Sequence, residues 1–426
     1  MAGQPPFTNV DPATEADLRR RGLDPHEVDR STEQLLTHIC TELVPALPLS
    51  DPRRHTPLQR IRSRLVVTDT ARSPAIPAPD GVDRISLLRD ELLREIVCRL
   101  PVKDGARTSV LASRWRRVWL STPQVLADAH LRPKGCSLTP TPADSPAIIA
   151  AVSSILEAHT GAIPTVHLTC SPANAYQVQL ARCLQLLATK GVQELVLVNR
   201  PWPLDVPLPP ALFGITSLVR IYIGLWRFPD VARLPPRTSA GVKASPSTMV
   251  TSVKVLSLNV RFGNHTHAEM VPSFLGCFPN LEALHIMSEK CDYQAGNARR
   301  NLNLWKLAKP TESVKSCVKV FSYREFRGEL GEVAFLNFFF RNARAPRTAS
   351  ISMANPSFTS FSMDEATRKA QEASNKMTKM SCEMVLLGST GPEGGIMSPS
   401  TILISLSQSQ TIDDRPEHEE REKEGE

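Results

Sequence analysis

Between residues 90 and 120 apolar side chains recur at helical spacing. Leu92, Leu93, Ile96, Val97 and Leu100 share one wide face of a 3.6-residue helix. Such a helix is predicted to begin at Asp90, whose carboxylate suits the free N–H groups of a first turn. Pro101 forbids continuation, and Asp104 is placed to cap a second helix carrying Ala106, Val110 and Leu111. A third, basic helix is predicted from about Ser113 to Leu120, with Trp115 and Trp119 four apart on one face, and Pro123 closes the unit. A single amphipathic helix is ordinarily part of a larger core. Three within about forty residues rarely bury enough apolar surface to stand alone, so the trio is expected to be covered by a partner chain or domain.

Beyond a Pro-rich connector and a helix predicted over 147–158, the period changes from 3.6 to 2. Short strands are predicted at 165–168, 192–198, 218–223, 253–260, 281–286 and 318–323, with Leu, Val or Ile on alternate positions. Their starts lie roughly 26 to 37 residues apart, a solenoid-like spacing stretched by insertions. Cys277-Phe278-Pro279-Asn280-Leu281-Glu282-Ala283-Leu284 is the clearest repeat entry, with proline and asparagine turning the chain into a strand. The alternative is a three-layer α/β domain. A Gly-rich phosphate turn is missing and the helices between strands read as poor, so the repeat is preferred. Residues 230–252, rich in Pro, Ser and Gly, interrupt the array. Further on, a strand is predicted over 317–326, then a helix over 332–343 burying Val333, Leu336, Phe339 and Phe340, then a strand over 347–353. Ser362 and Glu365 form a capping box opening a charged helix that runs to about Lys379.

Two stretches carry a family resemblance. Asp83-Arg84-Ile85-Ser86-Leu87-Leu88, Asp90-Glu91-Leu92-Leu93, Ile96, Leu100-Pro101, Arg107-Thr108-Ser109-Val110-Leu111 and Ser113-Arg114-Trp115-Arg116 together resemble a plant F-box. Phe326-Arg327-Gly328-Glu329, Glu332-Val333-Ala334-Phe335-Leu336 and Asn342-Ala343-Arg344 resemble the FBD region that follows the repeats in many such proteins. The resemblance implies docking on a Skp-type adaptor, and through it a cullin-based ubiquitin ligase. Leu88, Leu92, Leu93, Ile96, Leu100, Pro101, Val110, Leu111 and Trp115 would then form the contact or the small domain's own core, Trp115 above all the latter. One position departs: the family has Leu-Pro-Asp where this chain has Leu88-Arg89-Asp90. Losing proline is expected to weaken docking by roughly 1 to 2 kcal/mol, about five- to thirtyfold. The aliphatic stem of Arg89 recovers part of that.

The expected architecture is an α+β, α/β-repeat chain. It comprises a leader (1–80), a three-helix F-box (81–124), a connector with a short helix (125–160), an irregular leucine-rich-repeat solenoid (161–315), an FBD-like α/β cap (316–388) and an acidic tail (389–426). At 426 residues and 41% hydrophobic content there is room for two or three cores. Eleven prolines make the leader read as mostly disordered apart from a helix near 32–43, and the last fourteen residues hold eight acids and three bases. Arginines at 53, 54, 60, 62 and 64 raise a nucleic-acid reading, which interspersed acids, missing aromatics and a net charge of only +7 disfavour. Nine cysteines lie scattered with no C-x-x-C pair, pointing away from zinc or a disulfide framework and towards an intracellular compartment, cytoplasm or nucleus. No eighteen-residue apolar run or signal peptide is evident, so no membrane contact is expected.

Catalytic chemistry finds no footing. The run from Gly388 to Gly395 lacks the Gly-Lys-Ser/Thr of a phosphate loop. His265 and His267 read as solvated loop histidines, and Asn264-His265-Thr266 as an idle glycosylation sequon. The expected role is a substrate receptor without cofactor, metal or catalytic residue, its target protein not named by the sequence. A ligase-independent scaffold with an impaired F-box is the alternative.

Overall fold

A computed structural model describes residues 85, 87–131, 144–171, 174–199, 206–229, 249–290, 303–356, 361–377, 382–388 and 402–404, together with Ala16, Arg19 and Arg20. Three helices come first: α1 (Asp90–Val97), α2 (Val102–Thr108) and α3 (Ser113–Ser121). A strand β1 (Val125–Ala127) follows, in the stretch expected to be connector, and then α4 (Ser145–Ala158). Next come β2 (Thr165–Leu168), α5 (Gln177–Leu187), β3 (Glu194–Val198), β4 (Arg220–Gly224), β5 (Val255–Val260), α6 (His265–Leu275) and β6 (Ala283–Ser288). The chain then forms β7 (Val320–Phe326), α7 (Leu330–Asn342), β8 (Thr348–Met353), α8 (Met363–Ser374), β9 (Glu383–Leu387) and β10 (Ile402–Ile404).

All ten strands join one sheet in chain order. Each pair from β1 to β9 is parallel, and β10 alone is antiparallel, on β9. The order never reverses among the described strands, so the crevice that a doubly wound sheet offers at its switch point does not arise. Strand starts from β3 to β9, at 194, 220, 255, 283, 320, 348 and 383, lie 26, 35, 28, 37, 28 and 35 residues apart.

Register explains why alternate residues had to be apolar. Leu195, Ile221, Leu256, Leu284 and Phe321 lie side by side, as do Leu197, Ile223, Leu258, Ile286 and Tyr323. Both rows belong to one continuous core with α4 to α8. Strands β3 to β7 start two residues later than their apolar runs. Val192, Leu218, Val253, Leu281 and Val318 are fully buried in the turns before them, where they anchor each turn to the core. The sheet's first strand and its last two escaped the pattern reading. β1 is three residues long, β9 is five, and β10 lies in the segment expected to be disordered tail, which the structure corrects.

Two helices between strands were also missed. Leu180, Leu184 and Leu187 of α5 stand at helical spacing, and Cys183 joins them in the core. In α6 the supposed glycosylation sequon is a helix start: Asn264 Oδ1 accepts from His267 N at 3.1 Å. His267, expected in solvent, is buried. Its Nδ1 accepts from Arg261 N at 3.2 Å, leaving Nε2–H to donate to the Trp226 carbonyl at 2.6 Å. His265 stays nearer the surface, 3.9 Å from Glu269.

The helix read over 332–343 starts earlier, at Leu330, because Glu329 and Glu332 make a reciprocal capping box. At α8 only half of the expected box forms: Ser362 Oγ accepts from Glu365 N, and the helix stops at Ser374 rather than near Lys379. Phe335, Phe338, Phe339 and Phe340 of α7 pack with Phe321 and Trp305, the rings of Phe321 and Phe339 stacking at 3.9 Å. The leader's predicted helix near 32–43, the arginines 53 to 64, the interruption at 230–248, residues 389–395 and the acidic stretch 413–426 lie outside the described residues.

Candidate functional site

One surface has the makings of a docking site, the helical trio, and a buried charged cluster lies on the sheet face opposite the core. In the trio the apolar stripe of α1 divides. Leu93 and Val97 are fully buried and pack with Trp115, Val118 and Trp119 of α3 in a small separate core, against which Leu88 lies half-buried. Leu92 and Ile96 turn outward, 45% and 38% exposed. Leu100 is half-buried and Pro101 exposed. Val110 and Leu111 are 83% and 66% exposed. They follow α2 rather than lying within it, which corrects their expected place on that helix. Of the ten exposed large apolar side chains among the described residues, six (Ile85, Leu87, Leu92, Ile96, Val110, Leu111) crowd into this one unit. Scattered apolar residues need no explanation, whereas such a concentration marks a contact surface.

The expected caps behave differently. Asp90 is the first residue of α1, not its cap, and its carboxylate accepts from Arg114 Nε at 2.7 Å, which lowers its pKa. Arg114 also donates to the Leu88 carbonyl at 2.5 Å, tying α3 to the entry of α1. Pro101, not Asp104, caps α2, and Asp104 pairs instead with Arg107 at 2.9 Å. Arg89 caps α1 with φ −67° and no side-chain hydrogen bond.

The trio's other side is covered by this chain itself. Val102 of α2 belongs to the main core, and the Trp119 ring lies 5.2 Å from that of His159, just after α4. Thr160 Oγ1 donates to the Leu120 carbonyl, and Lys190 Nζ to the His159 carbonyl. Burial, assisted by the charge of Lys190, lowers the pKa of His159 and keeps it neutral in this joint.

On the sheet face opposite the core, the side chains of β2 to β6 alternate with those of the core and are themselves buried. Glu194, Arg220 and His167 meet there: Arg220 Nη1 lies 2.9 Å from Glu194 Oε2, and His167 Nε2 lies 3.7 Å from Glu194 Oε1. Val196, Val198, Tyr222, Leu225 and Met287 form a second small buried cluster beside them. None of these positions was singled out from the sequence. The signal was their register, since residues one position from core leucines on a strand must face away from them.

At the end of β7 a break in register accompanies Glu325, held at φ 59°. Three carboxylates, Glu325, Glu329 and Glu332, gather there around Arg327. Arg327 Nη2 lies 3.1 Å from Glu325 Oε2, and Glu332 Oε2 accepts from the backbone N–H groups of Arg327 and Glu329. Burial raises all three carboxyls; the Glu329 pKa, raised further by Glu332 and opposed by Arg327 and Lys290, reaches about 7. A carboxyl raised in the fold from 4.5 to about 7 contributes stability that is fully present below pH 4.5 and lost as pH rises through 7. The urea midpoint is therefore expected to fall between pH 5 and 8 by an amount that Glu329→Gln removes; a variant with an undiminished slope would refute this origin.

Comparison with known proteins shows what the chain is similar to. The family model described as "FBD-associated F-box protein At5g56370, LRR repeats" matches residues 180–240 and 236–286, and the FBD model matches residues 308–351. The stretches Phe326–Glu329, Glu332–Leu336 and Asn342–Arg344 fall inside that second match. Three relatives from Arabidopsis thaliana carry the comparison further. The chain is 58% identical over 41 residues to the F-box/FBD/LRR-repeat protein At5g22700, covering 10% of this chain and 9% of that protein. It is 32% identical over 131 residues to the putative F-box/FBD/LRR-repeat protein At5g44950, covering 29% and 27%. To the F-box/LRR-repeat protein At5g02910 it is 49% identical over 51 residues, covering 12% and 11%. The chain is thus similar to plant F-box/FBD/LRR-repeat proteins, with matched segments spanning about a quarter or less of those relatives' lengths.

Among the described residues no helix is long and apolar enough to cross a membrane, and no group of three His, Cys, Asp or Glu side chains is arranged to hold a metal ion.

Proposed function

We propose that the chain is a substrate-recognition subunit of a Skp-cullin-F-box type ubiquitin ligase. In this reading α1 to α3 are an F-box that docks on a Skp-type adaptor, and the strands from β2 onward form an irregular leucine-rich-repeat solenoid that holds a target protein. The elements from β7 to β9 close its end, as every solenoid requires. The observation that carries the reading is the divided stripe of α1. Leu93 and Val97 complete an internal core, while Leu92, Ile96, Val110 and Leu111 remain outside on a unit whose sequence resembles an F-box. No catalytic side chain is required. The subunit contributes proximity between a target lysine and the charged cysteine of a conjugating enzyme, which raises effective concentration.

Co-purification with a Skp-type adaptor tests the proposal. Leu92→Asp/Ile96→Asp is expected to weaken capture at least about hundredfold, because each carboxylate would be desolvated in an apolar contact. Its stability should change little, since neither side chain belongs to the trio's core. Capture equal to that of the unaltered chain would end the reading.

The second reading, a scaffold that no longer docks, is favoured by Arg89 alone. Its φ of −67° is already that of proline. Arg89→Pro is therefore expected to stabilise α1 by about 0.5–1 kcal/mol and to tighten adaptor capture severalfold. A chain that shows no capture until Arg89→Pro is introduced would establish the scaffold instead.

A further inference from the structure

The stretch from Asp413 to Glu426 holds eight acids against three bases. We propose that it docks on the basic rim at the start of β7 and β8, formed by Lys315, Lys319, Arg344 and Arg347.

Three observations support this. The first is direction. Because β10 is antiparallel to β9, with Ile404 beside Met384, the chain leaves β10 towards the end of the sheet where β8 and β9 begin. All the other strands point the opposite way, so without this reversal the chain would leave at the far rim.

The second is charge. Arg344 and Arg347 are exposed, and neither makes an ion pair among the described residues. Their backbone N–H groups donate to the carbonyls of Lys315 and Lys319, at 3.0 and 2.7 Å, which brings all four basic residues to one rim. Nearby acids only partly offset them: Glu312 lies 3.8 Å from Lys315, Glu282 lies 2.8 Å from Lys319 while also engaging Lys254, and exposed Glu383, whose N–H donates to the Arg347 carbonyl at 2.8 Å, starts β9 on the same rim. Cations near a helix C-terminus offset the helix dipole. That accounts for Arg344, two residues past α7, not for Arg347, five residues past it at the entry of β8.

The third is reach. Residues 405–412 can span up to about 28 Å when extended. β8 and β7 lie two and three strand spacings from β10, roughly 10 and 14 Å. The acids can therefore lie across the rim without strain.

Zero-length carbodiimide cross-linking of the dilute full chain, read by mass spectrometry, tests the proposal. Carboxylates between Glu417 and Glu426 should join Lys315 or Lys319 within one molecule. The yield should fall roughly fivefold in Arg344→Glu/Arg347→Glu, and similarly in about 0.5 M salt, where the Debye length shrinks to roughly 4 Å. Glu419→Lys/Glu420→Lys in the Arg344→Glu/Arg347→Glu background should restore it. Glu419→Gln/Glu420→Gln should lower the yield of links from the remaining Glu417, Glu422, Glu424 and Glu426, which keeps the test decisive if the arginine variant folds poorly. An absence of these links, links only between copies, or a yield indifferent to both pairs of substitutions would overturn the proposal.

Discussion

Gly331→Ala is expected to destabilise the chain by about 3 kcal/mol, the upper end of ordinary overpacking costs. Gly331 is the second residue of α7, where alanine would by itself favour the helix by about 1 kcal/mol. Contact decides against it. A Cβ built there would sit 2.4 Å from the Phe262 carbonyl oxygen and 2.9 Å from its carbon. Both are backbone atoms, so no rotamer change relieves the clash and α7 must lift away. That helix carries the aromatic residues that fill the core beside β7, so the displacement spreads to Phe335 and its contacts with Phe262, Trp305 and Tyr323. Gly214→Ala, with nothing within 4 Å of the new Cβ, is the matched control and should change stability by no more than about 0.5 kcal/mol. Urea unfolding of the two variants compares them directly. Equal midpoints would show that α7 does not sit as closely on Phe262 as described.

Arg220→Leu is expected to cost about 3–5 kcal/mol, since removing one partner of a buried ion pair leaves the other charge in a low dielectric. The Glu194 and Arg220 side chains are only 2% and 6% exposed, and their contact is a 2.9 Å charge-assisted hydrogen bond. The double variant Glu194→Leu/Arg220→Leu should be less damaging than Arg220→Leu alone, because it removes the stranded carboxylate as well. A double-variant cycle by urea unfolding would read this as a favourable coupling of at least about 2 kcal/mol. Additive losses would mean that the two side chains do not depend on one another. The pair lies, buried, on the face of β3 and β4 opposite the main core.

Local patterns announced the elements whose own residues determine them. The three helices of the trio were legible because Pro101 and Pro123 delimit them and their apolar spacing is helical. Strands β2 to β8 were legible because their core side alternates with an outward side over four or more residues. Helix α6 was not, since Pro272 and two histidines hide its apolar face, and its start depends on the Asn264 cap. Strands β1 and β10, three residues each, are too short to carry a period and exist because a neighbouring strand supplies hydrogen-bond partners.

The candidate surface divided in the same way. Sequence spacing placed Leu92, Leu93, Ile96 and Val97 on one helical stripe, but could not say which of them a partner would touch. That was decided where α3 packs on α1, drawing in Leu93 and Val97 and leaving Leu92 and Ile96 outside. Likewise, the expected caps Asp90 and Asp104 were claimed by Arg114 and Arg107, partners whose proximity depends on the fold or on a helix turn already formed.

By itself, then, the sequence determined the kinds of element, their rough order and the plant F-box, repeat and FBD resemblance, since these depend on local periodicity and on ordered motifs. Tertiary structure alone decided the continuous sheet in chain order, the neutral joint at His159, the crowding of three carboxylates about Arg327 and the reversal at β10. Each of these depends on residues far apart in the chain becoming neighbours, and burial, charge coupling and strand pairing act only between neighbours in space.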